Sequence, residues 1–311
     1  MKAAVARGVS VNALIAYANR GGEKNLRKLE MRLLESGVTV SRSSNDLSRY
    51  HDKLLLIDGK ELFLLSFNFT YLDIDHSRGF GVVTRKSKIV HEARKLIDAD
   101  SNRHPYVAGL DTFVVSPINA RKQLSEFIRG ADKELSIYDP KIGDAEMLRH
   151  LSDRAKHGVV VRIIGTVGGK NSQLEVRKPV FRLHTRTIIR DRRTAFVGSQ
   201  SLRQAELDSR REVGIIISDT KMVSSLLKTF EADWSLDEAP SRIRMPAKRL
   251  KKSVKAAMAP LSPILKDAVE EVVAGNVGEA MDPDEVKETV QKAVKEVVRE
   301  KVEEILSKVG K

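Results

Sequence analysis

The chain has 311 residues, of which 41% are hydrophobic, so it is long enough for about two domains or two lobes with a real apolar core. It contains no cysteine, which excludes disulfides, thiolate catalysis and cysteine-ligated zinc or iron–sulfur sites. The formal net charge of +13 predicts attraction to nucleic acid, an acidic membrane surface or a phosphorylated substrate, although a solvated basic surface has the same composition.

The start of the chain is interpreted as part of the fold. Residues 1–7 have the character of a weak signal peptide, but residues 4–11 match residues 154–161, where a helix end runs through a glycine into β-branched residues. No apolar run approaches the ~20 residues that span a bilayer. We therefore expect a location in the cytoplasm or at the periphery of a membrane.

The first half of the chain carries its most informative stretch at residues 50–58. Helical spacing over residues 23–36 and a short strand over residues 37–40 precede it. Alternation within residues 50–58 predicts a strand, from the end of which His51 and Lys53 point to one face. A neutral imidazole can attack phosphorus, and a neighbouring ammonium group can hold the phosphate oxygens.

The same stretch returns in the second half of the chain. Residues 48–84 align without a gap on residues 181–217, an offset of 133 positions. The shared residues are mostly polar or at turns, so an internal duplication is the economical interpretation. The identical pairs are Arg49 and Arg182, His51 and His184, Asp58 and Asp191, Phe63 and Phe196, Ser66 and Ser199, Asp75 and Asp208, Arg78 and Arg211, and Gly81 and Gly214.

The second unit begins with elements that have no counterpart in the first. A strand at residues 114–117, a helix at 119–130, a strand at 135–138 and a helix at 144–157 precede its repeated part. A missing strand would leave an open sheet edge. We expect either that the chain is truncated at its start or that a neighbouring segment fills the gap.

The last 71 residues differ from the rest in composition. Residues 241–255 hold seven basic residues and no acidic one, which by default makes a solvated face. From residue 290 onwards, valine and isoleucine recur at a spacing of three to four, which suits a coiled coil, a helical hairpin or docking on the body. We expect this tail to serve self-association rather than catalysis.

The duplicated pattern resembles the phospholipase D superfamily over residues 2–235. It reads His51-x-Lys53-x4-Asp58 with Ser66-x-Asn68, and then His184-x-Arg186-x4-Asp191 with Ser199-x-Ser201. The resemblance implies an α/β fold of duplicated lobes, each a mixed sheet flanked by helices, related by a pseudo-two-fold. The lobes are expected at residues 1–110, incomplete at the N-terminus, and 111–240, with a basic linker and helical tail at 241–311.

The resemblance also implies a mechanism without metal or other cofactor. The two histidines meet between the lobes, one attacks phosphorus to form a phosphohistidine, and the other protonates the leaving alcohol. The superfamily typically uses the first-motif histidine as nucleophile, whereas Glu212, expected beside His184, would make that ring the better-oriented base. Which histidine attacks therefore stays open. The implied catalytic residues are His51, Lys53, His184, Arg186 and Glu212. Ser66, Asn68, Ser199 and Ser201 are the expected donors to phosphate, and Asp58 and Asp191 are structural turn residues.

Two positions of the second motif carry a different side chain from the superfamily pattern. Arg186 replaces a lysine and Ser201 replaces an asparagine. Arg186 keeps the positive charge, but its planar fork reaches phosphate differently and is more rigid.

The orienting carboxylates form a second departure. The superfamily typically orients each histidine with a glutamate shortly downstream, so Glu212 is predicted to serve His184. The equivalent position in the first unit is Gly79, which predicts that His51 lacks its carboxylate unless Asp73 or Asp75 replaces it.

We therefore predict a phospholipase D-like phosphodiesterase, acting most naturally on phospholipid by hydrolysis or by phosphatidyl transfer of the cardiolipin-synthase kind. Two alternatives stay open: a non-specific nuclease of the same superfamily, and a degenerate, non-catalytic protein that binds polyanions. The expected partners are a phospholipid or another phosphodiester, nucleic acid in the nuclease case, a membrane surface contacted peripherally, and a second copy through the tail.

Overall fold

The structure is a computed structural model that describes residues 1–17, 23–169 and 173–236. The chain divides into two compact units, Met1–Pro240 and Ser241–Lys311, and every described residue belongs to the first. The predicted basic linker, helical tail and self-association therefore lie outside the described residues. The predicted boundary between the two lobes stays a prediction.

Helices cover much of the described chain, and side-chain caps fix several of their starts. Thr70, Asp144 and Asp219 each accept a backbone N–H in the first turn of the helices Tyr71–His76, Ala145–Lys156 and Thr220–Ser235. The helices predicted at 23–36, 119–130 and 144–157 are confirmed as Glu23–Glu35, Ala120–Arg129 and Ala145–Lys156. The described helices are α1 (Lys2–Val5), α2 (Glu23–Glu35), α3 (Tyr71–His76), α4 (Ser87–Asn102), α5 (Ala120–Arg129), α6 (Ala145–Lys156), α7 (Gln204–Asp208) and α8 (Thr220–Ser235).

Short strands make up the rest of the regular structure. One prediction is wrong: residues 50–58 are not one strand, because the strands Arg49–Tyr50 and Leu54–Ile57 lie on either side of residues 51–53. The described strands are β1 (Asn12–Ile15), β2 (Thr39–Arg42), β3 (Arg49–Tyr50), β4 (Leu54–Ile57), β5 (Glu61–Leu65), β6 (Ser77–Arg78), β7 (Gly81–Thr84), β8 (Phe113–Ser116), β9 (Glu134–Ile142), β10 (Val160–Val167), β11 (Glu175–Arg177), β12 (Arg182–Leu183), β13 (Arg186–Arg190), β14 (Thr194–Gly198) and β15 (Arg210–Ile217).

The second repeat is built on one mixed sheet between two layers of helices. Its order is β11-β10-β9-β13-β14-β15-β3, and β8 also pairs with β15. Strands β9, β10 and β11 are parallel to one another. Strand β13 runs antiparallel to β9, and β14 pairs antiparallel with both β13 and β15. One face buries apolar side chains under α5 and α6, and the other buries them against α4 and α8.

The first repeat has the same hairpin in the same register. Leu54 pairs with Leu64 in β4 and β5, as Thr187 pairs with Val197 in β13 and β14, and all four positions differ by the repeat offset of 133. Strand β7 continues this sheet, and β1 and β2 form a separate parallel pair. Among the described residues, no strand of the first repeat takes the places of β8 and β9. This is the predicted duplicated α/β fold, with a reduced first sheet.

Both hairpins turn at the aspartate of the motif. Asp58 and Asp191 have φ of 51° and 52°, a left-handed conformation that aspartate tolerates better than most residues. The Asp191 carboxylate also accepts the N–H groups of Asp132, Lys133 and Glu134, the closest at 2.7 Å. It thereby ties the turn to the start of β9, at the end of β13 remote from His184.

These contacts predict a difference in stability between the two turns. Asp191→Ala should lower the free energy of unfolding by about 1–3 kcal/mol, because three backbone donors lose their acceptor. Asp58→Ala is the matched control, since within the described ranges the Asp58 carboxylate accepts no hydrogen bond. Chemical denaturation of both variants measures the difference; equal losses would mean that the backbone conformation alone sets the cost.

Candidate active site

The two histidine segments are exchanged between the repeats. Strand β3, which leads to His51, pairs with the start of β15, and strand β12, which leads to His184, pairs with β6. The N–H of His51 donates to the carbonyl of Arg211 at 2.8 Å, and the N–H of His184 donates to the carbonyl of Arg78 at 3.0 Å. Both pairs differ by the repeat offset, so the exchange follows the pseudo-two-fold and brings both histidines to the junction of the repeats.

His51 is oriented by a buried carboxylate from the second repeat. Its Nδ1 lies 3.0 Å from both carboxylate oxygens of Glu212, whose side chain is fully buried. Burial lowers the pKa of His51 below its ordinary value, and the Glu212 hydrogen bond opposes this only in part. The neutral ring therefore donates its Nδ1–H to Glu212 and leaves the Nε2 lone pair for a nucleophilic attack.

The predicted partner of Glu212 was therefore wrong. The sequence pattern assigned Glu212 to His184 and left His51 without a carboxylate, whereas Glu212 contacts His51. The physical reason is the exchange of the histidine segments between the repeats. The carbonyl of Arg211 binds the backbone of His51, so the side chain of the next residue along β15, Glu212, lies beside the His51 ring.

His184 has different surroundings. Its Nδ1 lies 3.1 Å from the carbonyl of Ser66 and donates to it, so in the neutral ring Nε2 carries the lone pair. Nε2 faces Asn68 Nδ2 at 3.4 Å and the Asp73 carboxylate at 3.6 Å. Burial and then the charge of Arg186 lower the pKa of His184 to about 4, while Asp73 raises it.

Each histidine has a cation two residues on that binds the histidine's own carbonyl. Lys53 Nζ donates to the carbonyl of His51, and Arg186 Nη1 donates to that of His184 at 2.8 Å. Burial first, and then the Arg186 charge, lower the pKa of Lys53 to about 8. The Lys53 charge also lowers the pKa of both histidines, after larger effects, so this one ammonium group acts on both rings.

Two of the predicted phosphate donors already bind the backbone through their hydroxyl oxygens. Ser66 and Ser199 are fully buried, and their hydroxyl oxygens accept the N–H groups of Phe80 and Val213 at 3.0 and 3.1 Å. Each hydroxyl thereby braces its own repeat, Ser66 in the first and Ser199 in the second. The role of these two serines and of Asn68 as donors to phosphate stays a prediction.

Ser201 occupies the position of Asn68 in the second repeat. Its hydroxyl accepts a hydrogen bond from Arg186 Nε at 3.1 Å, so it positions that guanidinium and keeps its own hydrogen available as a donor. Ser201 is 2% exposed, whereas Asn68 is half-buried. The role of Ser201 at phosphate stays a prediction.

Sequence reasoning missed one pair of carboxylates. Asp73 accepts the backbone N–H of Asn68 at 3.2 Å, and Glu206 accepts that of Ser201 at 2.8 Å. Asp73 was considered only as a replacement partner for His51, but it faces His184. The repeat offset itself relates Asp73 to Glu206, so comparing acidic residues rather than identical ones would have found the pair.

The first repeat cannot carry a carboxylate where the second has Glu212. The equivalent residue is Gly79, and a Cβ atom there would lie 2.7 Å from the ring of Phe67. The phenyl ring occupies the space that a glutamate side chain would need. His184 is therefore served by the Ser66 carbonyl at Nδ1.

The described ranges contain no group of three or more histidine and acidic side chains arranged to hold a metal ion. In the same ranges, no helix combines the length and the apolar character needed to cross a bilayer.

A family model described as the PLD-like domain of cardiolipin synthase matches residues 1–101 and 167–234, which is more than half of the chain. The two matched segments contain both histidine motifs and leave out residues 102–166. No curated protein matches the chain.

Solved structures have a similar fold at low sequence identity. Polyphosphate kinase from Porphyromonas gingivalis superposes with a TM-score of 0.59 at 18% identity over 75% of this chain, which spans only 42% of the kinase. Phosphatidylserine synthase from Haemophilus influenzae superposes with a TM-score of 0.52 at 13% identity, over 72% of this chain and 73% of the synthase. NUC, a phospholipase D family member from Salmonella typhimurium, aligns over 40% of this chain and 92% of its own length at 20% identity, with a TM-score of 0.36.

Proposed function

Because the chain belongs to the phospholipase D superfamily, we propose that it cleaves or transfers a phosphodiester through a phosphohistidine intermediate. One observation carries the proposal: two histidines from equivalent positions lie at the junction of the repeats with different hydrogen-bond partners. A double displacement needs a nucleophile and a separate acid, and unequal surroundings suit unequal roles.

His51 is the nucleophile in this proposal. Its Nδ1–H is held by Glu212 at 3.0 Å, so Nε2 attacks phosphorus, and Glu212 stabilises the positive charge that develops on the ring. The P–O bond to the leaving alcohol breaks as the N–P bond forms, and His184 gives its Nε2 proton to the leaving oxygen. In the second step His184 takes a proton from water or another alcohol, whose oxygen attacks phosphorus and releases His51.

Lys53 and Arg186 lower the cost of this attack. A phosphodiester is already anionic, so a nucleophile reaches phosphorus only where cations offset the repulsion. Both cations are fixed by the histidine carbonyls, so they need no reorganisation when the substrate enters. Neutralising them with a bound phosphate also removes two of the causes that lower the pKa of His184.

The dependence of rate on pH tests the role of Lys53. For an activated diester such as bis(p-nitrophenyl) phosphate, kcat/KM should fall above about pH 8, because Lys53 has a pKa of about 8 and loses its charge there. Lys53→Arg should move that fall upward by about two pH units or more, since arginine keeps its charge, while lowering the plateau about tenfold.

The exposed Lys60→Arg is the matched control for this measurement, and its profile should superimpose on that of the wild type. An unchanged alkaline limb in Lys53→Arg would exclude Lys53 as the titrating cation.

Phospholipid is the proposed substrate class. Two observations support it: the matched family model is described for cardiolipin synthase, and an apolar surface lies beside Asn68 on α3. Tyr71 and Leu72 are 74% and 51% exposed there, whereas the equivalent exposed positions in the second repeat are Gln204 and Ala205. Apolar side chains at exposed positions beside the site suit contact with acyl chains.

The charge of +13 supports nucleic acid as the alternative substrate. The test compares headgroup release from phosphatidylcholine and phosphatidylglycerol vesicles with cleavage of single- and double-stranded DNA, all with EDTA present. Turnover of vesicles but not of DNA supports the lipid proposal. Cleavage of DNA, with binding that weakens steeply with salt, replaces it with the nuclease.

The same assay decides between an enzyme and a binding protein. If the wild type turns over none of these substrates nor bis(p-nitrophenyl) phosphate, the catalytic proposal fails. Binding to vesicles or DNA without turnover would then favour the degenerate polyanion-binding protein. Activity that EDTA abolishes and added metal restores would contradict the metal-independent mechanism.

A further inference from the structure

Asp73 is a buried carboxylate that faces the reactive nitrogen of His184. It is 3% exposed, and its Oδ2 lies 3.6 Å from His184 Nε2. The same oxygen accepts the side-chain amide of Asn68 at 2.5 Å, and the other oxygen is bound by Arg182. Burial alone would raise the pKa of Asp73, but the hydrogen bonds from Arg182 and Asn68 lower it to about 2, so the group is an anion at all working pH values.

The equivalent carboxylate of the second repeat does something else. Glu206 accepts the N–H of Ser201 and pairs with Arg203 and Arg210 at 3.4 and 3.2 Å. Within the described ranges it has no hydrogen bond or ion pair with His51. The two histidines therefore meet carboxylates from opposite sides: His51 at Nδ1, and His184 at Nε2.

We propose that Asp73 is a positioning residue that favours the protonated, acid-donating form of His184 beside the leaving oxygen once a bound phosphate has neutralised Lys53 and Arg186. The position that would otherwise orient His184 is Gly79, and the ring of Phe67 fills the space there. The anion that serves this histidine therefore comes from α3 rather than from the strand that supplies Glu212. This inference rests on the proposed function, because it assigns a role within the same two-step reaction.

The geometry accounts for both protonation states of His184. In the neutral ring, Nε2 faces the Asn68 amide at 3.4 Å as an acceptor. In the protonated ring, Nε2–H faces the Asp73 oxygen at 3.6 Å until the leaving oxygen takes its place. In the first displacement the proton moves from Nε2 to the leaving oxygen as the P–O bond breaks, and Asp73 stays ionised throughout.

The test varies the need for an acid. An activated diester such as methyl p-nitrophenyl phosphate releases p-nitrophenolate, which leaves without needing a proton. The leaving oxygen of a dialkyl diester or a phospholipid must instead be protonated. Asp73→Asn should lower kcat/KM for the unactivated ester by about 10- to 100-fold and change that for the activated diester by less than about threefold. Asp73→Glu should restore part of the loss with the unactivated ester.

A pH profile gives a second readout that a merely structural role would not move. Protonated His184 is needed only for the unactivated ester, so the alkaline limb of kcat for that ester, which reports the complex with substrate, should shift to lower pH in Asp73→Asn. The limb for the activated diester should stay where it is. Asp144→Asn, which removes another buried carboxylate paired with an arginine, is the control and should leave both profiles unchanged.

The outcomes separate this inference from the function on which it rests. Equal losses of kcat/KM for both esters in Asp73→Asn, or no loss for either, would overturn the positioning role while His51→Ala and His184→Ala still abolish turnover. If those two histidine variants keep wild-type activity, the proposed function itself fails, and the role of Asp73 fails with it.

Discussion

His51→Ala is expected to lower kcat/KM for every phosphodiester substrate by about 10⁴-fold or more, because it removes the atom that forms the covalent bond to phosphorus. The loss should be the same for activated and unactivated esters, since both need the nucleophile. Steady-state rates at matched protein concentration, with EDTA present, measure it.

His91→Ala is the control for this variant, because His91 is an exposed histidine on α4 and should keep wild-type activity. A thermal melt of both variants establishes that each is folded. Residual activity of His51→Ala within about tenfold of the wild type would rule out His51 as the nucleophile.

Glu212→Gln is expected to lower kcat/KM by about 10²- to 10⁴-fold, the second-largest effect. Glutamine can still accept the Nδ1–H of His51, but it carries no charge to stabilise the imidazolium that forms on attack. Because Glu212 acts through His51, the loss should be similar for activated and unactivated esters. Glu92→Gln, which changes a buried glutamate bound to Tyr106, should leave the rate unchanged.

Comparing esters with different leaving groups also tests the exchange of the histidine segments between the repeats. If Glu212 oriented His184 instead, as the sequence pattern alone indicates, its loss would weaken the acid and would mainly affect the unactivated ester. A loss confined to unactivated esters would therefore contradict the observed contact between Glu212 and His51.

The duplicated motif was sufficient to predict the fold class. Polar identities at an offset of 133 point to equivalent positions in two copies of one unit, and the hairpins at Asp58 and Asp191 have the same register. Helix spacing likewise predicted α2, α5 and α6, because an amphipathic face is a local property of the sequence.

The partners within the site could not be predicted in the same way. The hydrogen bond between His51 and Arg211 joins residues far apart in the chain, and no local sequence pattern predicts which repeat a histidine segment will pair with. The alternation over residues 50–58 predicted one strand because it does not show that β3 ends at Tyr50, where it pairs with β15. The Ser66 hydroxyl accepts a hydrogen bond from the N–H of Phe80, a contact that the spacing of residues in the sequence does not reveal.

Trapping the covalent intermediate tests the central claim most directly. In His184→Ala, bis(p-nitrophenyl) phosphate should still phosphorylate the protein, because its leaving group needs no acid, but the second step lacks its base. We expect a burst of about one p-nitrophenolate per protein molecule, and peptide mass spectrometry after an alkaline quench should place the p-nitrophenylphosphoryl group on His51. An adduct on another residue, or no burst and no adduct while the wild type turns over, would contradict the account.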